Sequence, residues 1–160
     1  MSPSKPVYLK FAVAGLTGAG TTSFIRSVEE VNELENWGRI AVGDFLKNQP
    51  QVRLDLLPKA QDQWEIVLTN KIAVLILIDS GKPELFPEVM ATMQGVRQYS
   101  SAPFIILANK QDAPEALEPE QIHQMLGLGQ ETPVIACIAK NRNSITQVLQ
   151  RLTDWALAKK

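Results

Sequence analysis

The chain has 160 residues, of which 45% are hydrophobic and 21% are charged, so it is long enough to fold as one domain with a sizeable core. Its formal net charge of −1 provides no basic surface for nucleic acid. The single cysteine, Cys137, excludes an internal disulfide framework and fits a reducing cytosol. The longest apolar run, Ile72 to Ile78, is far too short to span a membrane. Neither end carries a targeting or lipidation pattern, and we expect a cytoplasmic protein with no membrane anchor in its sequence.

Apolar runs of strand type and amphipathic stretches of helical spacing alternate along the chain. The expected elements are a strand from Val7 to Ala14, a helix from about Thr21 to Val31, a half-exposed strand from Val52 to Leu57, a buried strand from Ile72 to Ile78, a helix from Glu84 to Gln98, a buried strand from Phe104 to Ala108, a helix from Glu118 to Met125, a strand from Pro133 to Cys137 and a helix from Ser144 to Ala158. The segment from Asn32 to Gln51 is the least regular, and is either a long mobile loop or a loop plus an edge strand. This alternation predicts a single α/β domain over residues 1–160, with three layers: a mostly parallel sheet of about six strands and helices on both faces.

Residues 15–22, G-L-T-G-A-G-T-T, follow the first expected strand with the spacing of a phosphate-binding loop, G-x-x-x-x-G-K-[ST]. Glycines in such a loop let successive backbone N–H groups point at an anion, and the following helix offers its positive end. Thr21 stands where the lysine is expected, while Thr22 stands where a hydroxyl ligates Mg²⁺. Because a hydrogen bond to a charged group contributes roughly 1.5–3 kcal/mol, the lost lysine should weaken triphosphate binding about tenfold to a hundredfold.

A second motif, N-K-Q-D at residues 109–112, directly follows the buried strand Phe104 to Ala108. The Asp112 carboxylate can accept hydrogen bonds from both the ring N–H and the exocyclic amino group of guanine, a pairing that adenine does not offer. The Lys110 stem can cover the base, and Asn109 can tie this loop to the phosphate loop. The chain therefore keeps the residues that recognise a guanine base and has lost the phosphate-binding charge.

These motifs resemble those of the Ras-like small GTPases, over residues 11–22, 73–80, 106–112 and 134–140. The chain looks closest to the bacterial gliding-motility type (MglA-like), which often acts with Roadblock-domain proteins, and to Arf-like proteins at A-N-K-Q-D. In the last stretch, Ile138, Ala139 and Lys140 look like the S-A-K loop that contacts guanine through its backbone. The resemblance implies GTP or GDP as ligand, Mg²⁺ at Thr22, and a nucleotide site formed by Gly15, Gly18, Ala19, Gly20, Thr21, Thr22, Asn109, Lys110, Asp112, Ala139 and Lys140.

Four parts of the family's hydrolytic machinery are missing or altered here: the lysine, a switch threonine, and the Asp and Gly of D-x-x-G. The expected first switch, residues 39–45, contains no threonine, and residues 55–61 read D-L-L-P-K-A-Q. Gln61 is a weak candidate for the water-orienting glutamine, and no other catalytic residue is indicated. The segment between Gln61 and Ile72 is several residues short, which implies a truncated second switch.

Three functions remain open from the sequence. The first is a degenerate small GTPase that binds guanine nucleotide weakly or constitutively, hydrolyses little or none of it, and acts in signalling through protein partners. The second is a nucleotide-free pseudo-GTPase, a scaffold for a partner such as a Roadblock-type protein. The third is a GTPase completed by a cation that a partner supplies in trans.

Two aromatic residues in the irregular segment, Trp37 and Phe45, form a partner-binding patch if they are exposed and belong to the core if they are buried. Lys59, Lys71 and Arg39 are candidates to replace the missing charge on the phosphates.

Overall fold

Strands and helices alternate in the computed structural model of the chain, which describes residues 8–32, 39–42, 45–48 and 51–158. The strands in this part of the chain are β1 (Tyr8–Gly15), β2 (Arg39–Val42), β3 (Phe45–Asn48), β4 (Gln51–Leu56), β5 (Ala73–Asp79), β6 (Phe104–Asn109) and β7 (Val134–Ala136). The helices are α1 (Thr21–Asn32), α2 (Trp64–Leu68), α3 (Phe86–Arg97), α4 (Pro119–Met125) and α5 (Arg142–Ala158), with short 3₁₀ turns at Gln61–Gln63 and Pro83–Leu85. None of the helices in the described part of the chain is long and apolar enough to cross a lipid bilayer.

Five strands form one parallel sheet in the order β4-β1-β5-β6-β7. Every residue of β6 and the first six of β5 are buried, as expected for central strands covered on both faces. The chain leaves β1 toward the β4 side and later returns to add β5 on the other side. Ligands of open α/β sheets bind at such a switch point, beyond the carboxyl ends of the strands.

Two apolar layers cover the sheet and complete the three-layer α/β architecture that the sequence predicted. One face packs against α1 and α5, with Phe24 and Leu149 among its fully buried side chains. The other face packs against α2, α3 and α4, with Trp64, Val89 and Ile122 buried there. Because helices hold the sheet on both sides, the loops at its carboxyl edge start from fixed positions.

The irregular segment contains an antiparallel ribbon, in which β2 and β3 pair from Arg39↔Asn48 to Val42↔Phe45. A loop, or a loop plus one edge strand, was predicted for this segment, so the paired strands are a difference from the prediction. Trp37 lies outside the described residues, and so does the side chain of Phe45, so the proposed aromatic patch stays a prediction.

The segment after β4 contains the 3₁₀ turn and α2, neither of which was predicted. Trp64 and Leu68 lie one helical turn apart and are both buried. The Trp64 indole Nε1 donates to the Pro58 carbonyl at 2.6 Å, and its ring packs edge-on against Tyr99. One buried aromatic residue therefore fixes the position of this short segment against α3.

Candidate functional site

The phosphate loop, residues 15–22, connects the end of β1 to the first turn of α1. Gly18 and Gly20 have φ values of 89° and 100°, which L side chains rarely adopt, so these two positions need glycine. The first amides of α1 have no acceptor within the helix, which makes them available to an anion. The backbone part of a phosphate site is therefore present.

Thr21, the residue in the lysine position, does not extend over this loop. Its Cγ2 atom lies so close to Gly15 that a Cβ placed there would be 2.7 Å from it. Within the loop, the Ala19 amide donates to the Leu16 carbonyl at 3.0 Å. The loop thus offers backbone amides and hydroxyl groups, and residues 15–22 contain no cation.

The candidate replacement cations differ in how close they lie to the phosphate loop. Lys71 Nζ lies 3.1 Å from the Asp55 carboxylate, and the Lys71 side chain is only 8% exposed. This ammonium is therefore paired beside the sheet and is not directed at the phosphate loop. Lys59 lines a groove of about 330 Å³ with Gly15, Gln61 and Trp64, beside the start of the loop. The side chain of Arg39 lies outside the described residues.

Asn109, at the end of β6, joins the phosphate loop to the third loop of the site. Its Nδ2 donates to the Ala19 carbonyl at 2.8 Å, and its Oδ1 accepts from the Ala139 amide at 2.9 Å. The Ala139 carbonyl in turn accepts from the Ser27 hydroxyl of α1 at 2.6 Å. A Cβ at Gly20 would overlap the Asn109 side-chain nitrogen, so this close approach also requires glycine. The expected link between the loops is present, and Asn109 makes it with both ends of its amide.

Lys110 and Gln111 are held by Asp79, the last residue of β5, and Ser80, which directly follows it. Lys110 has a φ of 63°, and its Nζ lies 3.1 Å from Asp79 Oδ2. Gln111 Nε2 donates to the Ser80 hydroxyl and to the Leu117 carbonyl, both at 2.8 Å. These bonds were not predicted, because nothing in the local sequence pattern links β5 to a loop about thirty residues further on.

Ser80 also holds the N-K-Q-D loop in place through its backbone and its side chain. Its hydroxyl donates to the Asn109 carbonyl at 2.5 Å and its amide donates to the same oxygen at 3.1 Å, with the whole residue buried. Gln111 N also donates to the Cys137 carbonyl at 3.3 Å, which ties the loop to the end of β7. Burial raises the pKa of the Cys137 thiol to about 12, so at neutral pH it is an uncharged core group.

Asp112 differs from its three neighbours in the motif. Its side chain is exposed, and within the part of the chain that the structure describes it makes no hydrogen bond or ion pair. It borders a pocket of about 270 Å³, a little below the usual range for small-molecule sites, which is lined by Gly20, Ser23, Asn109, Lys110, Asp112, Ala113, Ile138, Ala139 and Lys140. The pocket therefore unites the residues expected to bind the base, and its carboxylate is available.

The residues expected to handle Mg²⁺ and hydrolysis are less well placed. Thr22 lies on a shallow groove with Arg26 and Asp55, but Asp55 lies inside β4 and its carboxylate pairs with Lys71. The described ranges contain no group of three His, Cys, Asp or Glu side chains that could hold a metal ion. Among the described residues, Thr22 is the one that matches the expected Mg²⁺ ligands, and nucleotide phosphates and water would have to supply the others. Gln61 lies in the 3₁₀ turn, exposed, on the groove that borders Gly15.

The parallel sheet, the glycine loop after β1 and the N-K-Q-D loop after β6 define a member of the Ras-like small GTPase superfamily. Within it, residues 58–156 match the model of the ADP-ribosylation factor family, and the chain belongs to that family. The family binds GTP or GDP with Mg²⁺. The matched residues include the N-K-Q-D loop and the Ala139 loop, and the phosphate loop precedes them. The expected closeness to the MglA-like type stays a prediction.

Individual relatives are distant. The chain is 24% identical to ADP-ribosylation factor-like protein 5 of Caenorhabditis elegans over 74% of its length and 71% of that protein. It is 23% identical to human ADP-ribosylation factor-like protein 9 over 74% of its length and 67% of that protein. It is also 24% identical to ADP-ribosylation factor-like protein 13B of Chlamydomonas reinhardtii over 82% of its length, but this covers only 27% of that protein.

Proposed function

We propose that this Arf-family chain binds guanine nucleotide through the Asp112 pocket, hydrolyses little or none of it, and acts through protein partners. Asp112 carries this proposal. Asn109, Lys110 and Gln111 all bond to the protein itself, whereas the Asp112 carboxylate at the mouth of the pocket has no partner among the described residues. A carboxylate with both oxygens available is the group that pairs with the two N–H donors of guanine.

Weak hydrolysis follows from the chemistry that the described residues lack. Phosphoryl transfer depends on positioned positive charge around the outer phosphates. Thr21 supplies none, and Asp55 is engaged by Lys71. Gln61 is exposed, and its Nε2 lies toward Gly95 of α3. A chain with this site would exert its signalling function through contacts with other proteins. A Roadblock-type protein is the partner class that we propose. A partner that supplies a cation in trans would restore hydrolysis.

A nucleotide-free scaffold is the second candidate function, and one observation favours it. The three loops of the site are joined by protein-to-protein hydrogen bonds of Asn109, Gln111 and Ser80. Such a network can preserve the fold even if no nucleotide binds.

Isothermal titration with GDP and GTP, with and without Mg²⁺, distinguishes the two functions, and ATP serves as the control ligand. We expect guanine nucleotides to bind at micromolar concentration and ATP to be rejected. The variant Asp112→Asn should lose about tenfold to a hundredfold in affinity, because it removes a charged acceptor. The matched control Asp154→Asn, on the exposed face of α5, should bind as the parent does. No binding at millimolar GDP would reject the nucleotide-binding function in favour of the scaffold.

A further inference from the structure

Lys82 borders the phosphate loop from the side of the 3₁₀ turn that leads into α3. It is exposed, and it lines a small cavity of about 20 Å³ together with the middle of the loop, Leu16, Thr17, Gly18 and Ala19. In the part of the chain that the structure describes, its ammonium makes no hydrogen bond or ion pair. A lysine ammonium carries three N–H donors, and here all of them are available to a ligand.

The turn that carries Lys82 is fixed to the end of β5. The Asp79 carboxylate accepts from the Gly81 amide at 3.0 Å, and the Asp79 carbonyl accepts from the Lys82 amide at 3.2 Å. The Lys82 carbonyl in turn accepts from the Leu85 amide at 3.0 Å. The same Asp79 carboxylate pairs with Lys110. One turn therefore positions the lysine expected to cover the base and a second lysine beside the phosphate loop.

The carboxylates closest to Lys82 leave its charge uncompensated. Asp79 lines the same cavity, but its Oδ1 accepts from the Gly81 amide and its Oδ2 pairs with Lys110. The Glu115 side chain lies against Gly81, and no ion pair joins it to Lys82 within the described ranges. An anion held by the phosphate loop would therefore have an unpaired ammonium beside it.

Two other cations lie in grooves that touch the ends of the phosphate loop, and both are placed less favourably. The groove of Lys59 includes Gly15, the first residue of the loop. Arg26 lies in a groove at the start of α1 that also contains the carboxylates of Glu29 and Asp55, which compete with phosphate for the guanidinium. Neither groove includes the middle of the loop.

We propose that Lys82 contacts the phosphates of the bound nucleotide and supplies the charge that Thr21 does not. This inference rests on the proposed function, because it requires a guanine nucleotide in the Asp112 pocket. A Cβ at Gly18 would meet no atom within 4 Å, so the space beside the loop is open to the Lys82 side chain. The contact adds affinity for phosphate without supplying the water-orienting group that hydrolysis also needs.

The test is a calorimetric titration with GDP in the presence of Mg²⁺, on the parent chain and on two variants of Lys82. Lys82→Met keeps a side chain of similar length without the charge, and Lys82→Arg keeps the charge. We expect Lys82→Met to weaken GDP binding about tenfold, the effect of one hydrogen bond to a charged group, and Lys82→Arg to stay within about threefold of the parent. The matched control Lys10→Met, an exposed lysine near the amino end of β1, should bind as the parent does.

The possible results separate this inference from the proposed function. If the parent binds GDP and Lys82→Met loses less than about twofold, the inference is overturned, while the proposed function stands. Equal losses for Lys82→Met and Lys82→Arg would also overturn it, since they would give Lys82 a packing role. A tenfold loss in Lys59→Met or Arg26→Met, with none in Lys82→Met, would assign the phosphate contact to that other cation. If the parent does not bind GDP, both fail.

Discussion

Two glycines of the phosphate loop provide a matched pair of substitutions that isolates the Asn109 contact. Gly18 and Gly20 both have positive φ, so alanine at either position should cost about 1–3 kcal/mol of backbone strain. A Cβ at Gly18 meets no atom within 4 Å, whereas a Cβ at Gly20 would overlap the amide nitrogen of Asn109. Gly20→Ala should therefore also break the bond from Asn109 to the Ala19 carbonyl, and an unsatisfied buried polar group costs about 1–3 kcal/mol more.

Urea unfolding followed by tryptophan fluorescence measures this difference, since Trp64 is buried in the core and Trp155 is half-buried. We expect Gly20→Ala to lower the free energy of unfolding by about 1–3 kcal/mol more than Gly18→Ala does. In an Asn109→Ala background this excess should disappear, because the group that the new methyl displaces is gone. Equal losses for the two glycine variants in the parent chain would refute the reasoning.

The remaining predictions concern the supports of the site. Burial raises the pKa of the Cys137 thiol to about 12, so an aromatic disulfide reagent at neutral pH should label it slowly in the native protein and rapidly in guanidinium. Fast labelling of the native protein would show that the loops around the Asp112 pocket open readily. Asp79→Asn removes the charge that holds Lys110, so calorimetry should show guanine binding weakened by about two- to fivefold, the range of a partly exposed ion pair; unchanged affinity would assign Asp79 to the fold alone. Lys71→Met should change the free energy of unfolding by less than about 1 kcal/mol. Asp55→Ala should cost about 1–2 kcal/mol more, because it leaves the buried Lys71 ammonium without its counter-charge. A larger loss for Lys71→Met than for Asp55→Ala in urea unfolding would count against this pairing.

Most of the fold could be predicted from the sequence because the central strands are long and uninterrupted. The runs that became β5 and β6 are apolar throughout, and the turn residues beside them mark their ends. α2 escaped prediction because it has five residues and only two of them are buried, too few for a periodic pattern. The ribbon of β2 and β3 escaped for the same reason, as each strand has four residues.

The candidate site was predictable where the residues of one loop form a recognisable motif by themselves. The spacing of the glycine loop and the N-K-Q-D motif predicts Gly20, Asn109 and Asp112 as site residues, and the structure brings the three together at one pocket. The roles of Asp79 and Ser80 were not predictable, because they depend on bonds to residues 29–31 positions further along the chain. The placement of Asp55 inside β4, bonded to Lys71, likewise depends on how strands pair.

The unequal bonding of the N-K-Q-D residues has a consequence for which of them would be replaced first during evolution. Selection for stability alone would favour keeping Asn109, Lys110 and Gln111, since each loses a bond to the protein when it is replaced. Asp112 makes no hydrogen bond or ion pair with the described residues, so its retention would need a ligand or a partner protein that uses it. In a lineage that no longer bound nucleotides, substitutions would accumulate first at the position of Asp112, the last residue of the motif. The residue at that position would therefore indicate whether related chains still bind a ligand or a partner there.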